Sequence, residues 1–243
     1  MKRYTIKCGI AVLLCLICSF SYRARAQTYR LRSLEGATVS VRIYKEPINL
    51  YKQQGRRDLS IIYGTDTVFV YDAWYNGTVK VMNQQFLQLD YPVRGGTNLG
   101  LGSTLILCVA KGRLRQVFKM PTYCQSDLYN PDEHKLYQVR LRLVGTMPQT
   151  YQLHLTTHNE SRSERDPATN HNSTTQVVLK FDAERYFFYT GFRRVPALFS
   201  VVDDKMEQVV TLKVTEPLPV ISWNNYVQYF IRGEWYGAAR TEK

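Results

Sequence analysis

Histidine is scarce in this chain, cysteine is scarcer still beyond the first 18 residues, and no stretch of a dozen residues keeps an apolar face at helical spacing. Each shortage excludes something. With four histidines in 243 residues, ligands for a transition metal are few. His154 and His158 are four apart, which suits a metal on a helix, but in an extended strand that spacing is about 13 Å. His134 and His171 sit in polar stretches without ligand spacing, so no metal or other cofactor is expected.

Hydrolytic signatures are missing as well. The sequence has no Gly-x-Ser-x-Gly elbow, no papain-like cysteine surround and no His-Glu-x-x-His. Glu184, Asp203, Asp204 and Glu234 qualify for a glycosidase pair by charge alone. A non-enzyme is the expectation, with no catalytic residues. Nucleic acid is not an expected partner either, because no recognition helix, zinc finger or RNP-type aromatic motif is present.

Only one long apolar run exists, and it lies at the start. Lys2, Arg3 and Lys7 precede an apolar stretch from Cys8 to Phe20, and Ala24-Arg25-Ala26 supplies small residues for cleavage before Gln27. These are the three parts of an export signal, and the run is shorter than the ~20 residues of a spanning helix. Residues 1–26 are therefore predicted to be a signal peptide, leaving 217 of the 243 residues with no transmembrane segment. The signal carries five basic and no acidic residues, so the formal charge falls from +12 to +7. The expected location is periplasmic, outer-surface or extracellular.

Of the five cysteines, Cys108 and Cys124 remain after the signal. An even pair in an oxidising compartment predicts a disulfide, brought together by a turn at Met120-Pro121. The rival readings are a reactive Cys108 thiol beside Arg113 and Arg115 and two unpaired structural cysteines.

What the chain does have is strand periodicity. Segments such as "TVSVRIY" (38–44), "TVKVM" (78–82), "FLQLDY" (86–91), "LYQVRLRL" (136–143) and "VVLKF" (177–181) are rich in β-branched and aromatic residues and mostly alternate. Asn76-Gly77 predicts a hairpin between "TVFVYDAWY" and "TVKVM", and Lys111-Gly112 another between "TLILCVA" and "RLRQVF". The latter register sets Cys108 across from Arg115, on a face away from the core. "GTMPQT" and "DDKMEQ" offer looser turns.

The expected fold is all-β, an antiparallel β-sandwich architecture. Two sandwich-like halves, 27–128 and 129–243, meet at the polar "QSDLYNPDEH"; one large sandwich is the alternative. Residues 157–175, with Ala168 as their sole aliphatic residue, read as a mobile loop. The signal and the Tyr-rich hairpins resemble exported β-proteins of bacterial envelopes in composition.

Three groups remain as candidate sites. Gly95, Gly96, Gly100 and Gly102 precede a strand rather than a helix, so they read as a connection and not a phosphate loop. Lys111, Arg113 and Arg115, with Arg140 and Arg142, form a candidate anion-binding surface for an acidic envelope partner. Trp74, Trp223 and Trp235 sit among Tyr, Asn or Gly, as sugar-stacking rings do. Function is expected to be binding or structural association in the envelope or outside the cell, with a secreted carbohydrate-active protein, lectin-like or glycosidase, as the alternative.

Overall fold

The computed structural model describes residues 26–45, 57–71, 73, 77–93, 99–126, 132–203, 208–223 and 226–237. Strands β1 (Gln27–Arg32), β2 (Thr38–Lys45), β3 (Arg57–Tyr63) and β4 (Asp66–Tyr71) form a four-stranded antiparallel sheet in chain order. Eight strands follow: β5 (Thr78–Met82), β6 (Phe86–Val93), β7 (Leu99–Ala110), β8 (Arg113–Ser126), β9 (Glu133–Val144), β10 (Gln152–Ser163), β11 (His171–Asp182) and β12 (Phe187–Tyr189). They too neighbour one another in chain order, in one antiparallel sheet.

The C-terminal strands are β13 (Gly191–Arg193), β14 (Leu198–Asp203), β15 (Gln208–Lys213), β16 (Leu218–Trp223), β17 (Tyr226–Ile231) and β18 (Glu234–Gly237). They form a sheet ordered β13-β16-β17-β18 and a separate β14-β15 ribbon. The expected all-β, antiparallel architecture is what is found. No helix among the described residues is long and apolar enough to cross a membrane.

Packing turns the two large sheets into layers. The unbroken apolar run Leu105–Ala110 is buried on both faces, the pattern of a strand with cover on either side. Leu105, Leu107 and Val109 join Leu31, Val41, Ile43, Ile61 and Val70 of the first sheet in one core. Ile106, Cys108 and Ala110 face the other way, into a core shared with Leu153, Leu155, Leu179 and Phe181. The eight-stranded sheet thus folds over on itself, β9–β12 lying against the inner face of β6–β8.

Two bulges in β8 make that fold possible. Leu107 pairs with Gln116 but Ile106 with Phe118, leaving Val117 as an extra residue; Ser103 pairs with Pro121 but Gly102 with Tyr123, leaving Thr122 as another. Each bulge bends its strand and increases the twist. β9 then pairs with β8 only from Tyr123↔Gln138 to Ser126↔Lys135, and beyond Gln138 it follows β10 alone.

Phe86 holds the folded-over halves together. Its ring meets Tyr151 at 5.1 Å and Phe181 at 5.7 Å, both edge-on, and Phe188 at 5.8 Å. The turn beside it helps, since Asn83 Nδ2 donates to the Gly145 carbonyl at 2.9 Å and the Tyr151 hydroxyl donates to Gln85 Oε1. Gly145 has φ +101° and a Cβ there would lie 2.4 Å from the Thr150 carbonyl oxygen, so the β9–β10 turn requires glycine.

Several expectations need correction. β4 pairs with β3 and β5 with β6, at the edges of different sheets, so the Asn76-Gly77 hairpin is not formed; Asn76 itself lies outside the described residues. Ala73 instead bridges to Val93, carrying the chain from the outer sheet to the middle one. The Lys111-Gly112 turn is present, with φ +50° and +67°, and Cys108 does face Arg115. Its register slips by one beyond Leu107 because of the Val117 bulge, so Ile106 faces Phe118 and Leu105 faces Lys119.

Residues 157–175 are not a mobile loop but the outer ends of β10 and β11, paired from Thr157↔Thr175 to Ser161↔His171. Backbone pairing needs no apolar side chains, and the turn is tied by Asn170 Oδ1, which accepts the Ser163 amide at 2.7 Å. The predicted division at 128/129 falls between β8 and β9, which are hydrogen-bonded neighbours in one sheet.

Replacing Phe86 by Ala should destabilise the protein by about 3–5 kcal/mol, because it removes a fully buried ring at the junction of the two halves. Denaturant titration checks this. A loss under 1 kcal/mol would mean that the halves are held elsewhere.

Candidate functional site

Where β8 and β9 part company, a cleft of about 360 Å³ opens on the inner side of the middle layer. The bulge at Thr122 and the divergence after Gln138 create it, since β8 is no longer paired with β9 there. Lys80, Gln88, Asp90, Thr104, Thr122, Tyr123, Gln138 and Arg140 supply its polar lining. Cross-strand pairing of Lys80 with Gln88, and of Asp90 with Thr104, brings these side chains to one face.

The floor is a tied network. Gln88 Nε2 donates to Asp90 Oδ1 at 2.7 Å and to Oδ2 at 2.8 Å, and Thr104 Oγ1 donates to Asp90 Oδ1 at 2.6 Å. The Thr104 and Thr122 hydroxyls are 3.0 Å apart. A carboxylate has about four lone-pair sites, so three contacts leave acceptor capacity on Oδ2. Gln88 Oε1 is buried with no hydrogen-bond partner among the described residues.

The glycines of β7 matter here. Tyr123 pairs with Gly102, and a Cβ on Gly102 would lie 3.1 Å from Tyr123 Cβ, one on Gly100 3.3 Å from its Cε1. Bare backbone at both positions lets the ring lie along the strand at the cleft. Gly95 and Gly96 fall outside the described residues.

The cysteines are free, and the predicted disulfide is not formed. Cys124 pairs with Leu101, seven residues along β7 from Cys108, or about 23 Å at strand rise, whereas a disulfide needs Cα atoms within about 7 Å. β8 runs straight on through Met120-Pro121 instead of turning back. Nor is Cys108 on an outward face: it is fully buried in the inner core, because β7 is covered on both sides. Burial pushes its thiol pKa far up, Glu35 adds to that, and Arg115 opposes only weakly, so the reactive-thiol reading fails too.

The basic residues are dispersed. Arg113 Nε donates to both carboxylate oxygens of Asp66 at 2.8 Å. Lys111 Nζ and the Arg115 guanidinium lie 5.6 and 5.8 Å from the Tyr186 ring centre, within cation–π range. The hairpin's cations are thus engaged within the fold. Arg140 and Arg142 are exposed on β9, opposite Thr156 and His154, and of the five only Arg140 lines the cleft.

Tryptophan as a sugar platform also needs correction. Trp223 is 7% and Trp235 2% exposed, both inside the inner core. Trp223 packs at a tilt against Tyr137, with ring centres 6.3 Å apart, and donates to Thr175 Oγ1 at 3.3 Å, while Trp235 packs on Phe187 and Phe230. Neither ring has a face free for a pyranose. Trp74 lies outside the described residues.

Sequence reasoning missed Gln88, Asp90, Thr104, Thr122 and Tyr123. A signal existed in "FLQLDY", where Gln88 and Asp90 share a face with Phe86 inside a strand otherwise apolar. Comparison of the chain with protein-family models, curated proteins and solved structures gives no match.

Three outcomes are expected. First, Asp90→Ala should cost about 1–3 kcal/mol by leaving the Gln88 amide donor buried without its acceptor; urea titration measures it, and a neutral result would show that the network is dispensable. Second, in the chain beginning at Gln27, an aromatic disulfide reagent should titrate one thiol in the native state, Cys124, and two in denaturant; two fast native thiols would contradict the burial of Cys108.

The third concerns acid. The Asp66 pKa is held below its usual value by the Arg113 hydrogen bond and then by the Leu114 amide. A lowered folded pKa stabilises the protein fully above the unfolded value of 3.8 and less as pH falls through the folded one. Stability of the natural chain should therefore decline below about pH 4 more steeply than that of Asp66→Asn. Parallel acid titrations followed by circular dichroism would test this.

Proposed function

We propose that this chain is an exported β-protein of the bacterial envelope or extracellular space that acts by binding, with the cleft between β8 and β9 as its ligand site. The polar floor of the cleft carries the reading. Gln88, Thr104 and Thr122 are 2%, 1% and 7% exposed, at inward positions beside Phe86, Ile106 and Phe118 where aliphatic side chains would pack without desolvating polar atoms. Local rules of folding are most often broken where function requires it.

Export is supported by the basic, apolar and small-residue parts of residues 1–26. A non-catalytic role is supported by the state of the carboxylate at the centre of the cleft, which is tied to an amide and a hydroxyl that hold it in place. Binding by a fixed, preformed polar group loses little to ordering on association.

Two measurements test the proposal. Fractionated cells should hold the protein outside the cytoplasm with Gln27 at its N-terminus; retention of the uncleaved chain in the cytoplasm would overturn export. In a thermal-shift panel of sugars, sugar acids, amino acids and phosphate esters, at least one compound should raise Tm in the natural protein and not in Gln138→Ala/Arg140→Ala. If none of these classes gives a shift that depends on the cleft, the binding role is wrong.

A further inference from the structure

Resting on the cleft being a ligand site, we infer that its ligand is a hydroxylated carboxylic acid of monosaccharide size, of the hexuronate type. Three features of the lining require different parts of such a molecule. Lys80 and Arg140 are exposed cations on the cleft wall, and neither is held by a carboxylate in the ion pairs of the described residues. They call for an anionic group on the ligand, and the planar guanidinium of Arg140 is suited to a carboxylate in two-point contact.

Asp90 calls for the opposite chemistry. Its remaining acceptor capacity on Oδ2 accepts a donor, and the neighbouring Gln138 amide and Thr122 hydroxyl extend a neutral polar lining beyond it. A simple fatty or aromatic acid has no donors for these groups, and an inorganic anion would be repelled by Asp90. An acid whose carbon skeleton carries several hydroxyls satisfies both.

Tyr123 supplies the third part. Its half-buried ring lies along Gly100 and Gly102 at the edge of the cleft, and its hydroxyl is already committed to Gln125 Oε1. The ring thereby presents an apolar surface rather than a polar tip, which suits the C–H face of a pyranose. The cavity, about 360 Å³, is at the small end of the ~300–1,000 Å³ range of ligand pockets, so one or two sugar rings are its measure.

Calorimetric titration of the purified protein with glucuronate, galacturonate, glucose and serine tests the assignment. A hexuronate should bind, glucose should bind at least tenfold more weakly, and Lys80→Gln and Arg140→Gln should each weaken the hexuronate about tenfold. Added salt should weaken it as well. Both side chains are exposed, so these variants keep the fold, and unchanged circular dichroism would verify it. Equal binding of glucose, or a hexuronate affinity indifferent to both substitutions, would overturn the acid. Preference for serine would replace the sugar acid by an amino acid. Failure of all four compounds, alongside a cleft-dependent shift by another compound in the thermal panel, would refute this ligand class while leaving the binding role intact.

Discussion

The two large cores of this molecule both depend on the two-sided burial of β7. Six consecutive residues, Leu105 to Ala110, contribute alternately to two cores, and neither core is complete without them. A strand in that position has no solvated face to absorb a mistake. Shifting its register by one residue would send Leu105, Leu107 and Val109 to the inner core and Ile106, Cys108 and Ala110 to the outer one. The Lys111-Gly112 turn fixes the register at one end, and its conformation requires positive φ at both residues.

The same constraint explains what could and could not be read from the sequence. Alternation in "TVSVRIY" identifies a strand because one of its faces is dry and the other wet; "TVKVM" is a strand too, but one at a sheet edge with Val81 41% exposed. The continuous run in "TLILCVA" identifies a strand but not its surroundings, and its pairing with Arg115 points Cys108 to an outer face that the fold does not have. Bulges leave no pattern in a single sequence, which is why the register after Leu107 and the course of β8 past Pro121 were missed. Asn76-Gly77 misled for a related reason. A turn signal is local, whereas the choice of partner for β5 is decided by which sheet covers Val79, Leu87 and Leu89.

The candidate site was less legible than the fold. Tryptophan is the best stacking residue, yet large rings are also the best filling for a core made by sheets packed face to face, and Trp223 and Trp235 serve that end. The glycines looked like a connection and are in part a strand. At Gly100 and Gly102 they make room for the ring of Tyr123, a relation between residues more than 20 apart that only pairing reveals. Arginine on alternating positions was no guide either, because a partner such as Asp66 or Tyr186 on another element decides whether the charge is available.

The chain-order pairing of the eight strands has a bearing on how the protein comes to be folded. Each strand finds its partner in the segment made just before it, so ladder formation can keep pace with emergence of the chain and the cost of closing loops stays small. Phe86 is different. Its ring partners Tyr151, Phe181 and Phe188 belong to segments that emerge much later, so the inner face of β6–β8 stays bare while they are being made. During that interval a growing, half-covered sheet is a sticky surface, open to pairing with other chains until β10 to β12 arrive to cover it.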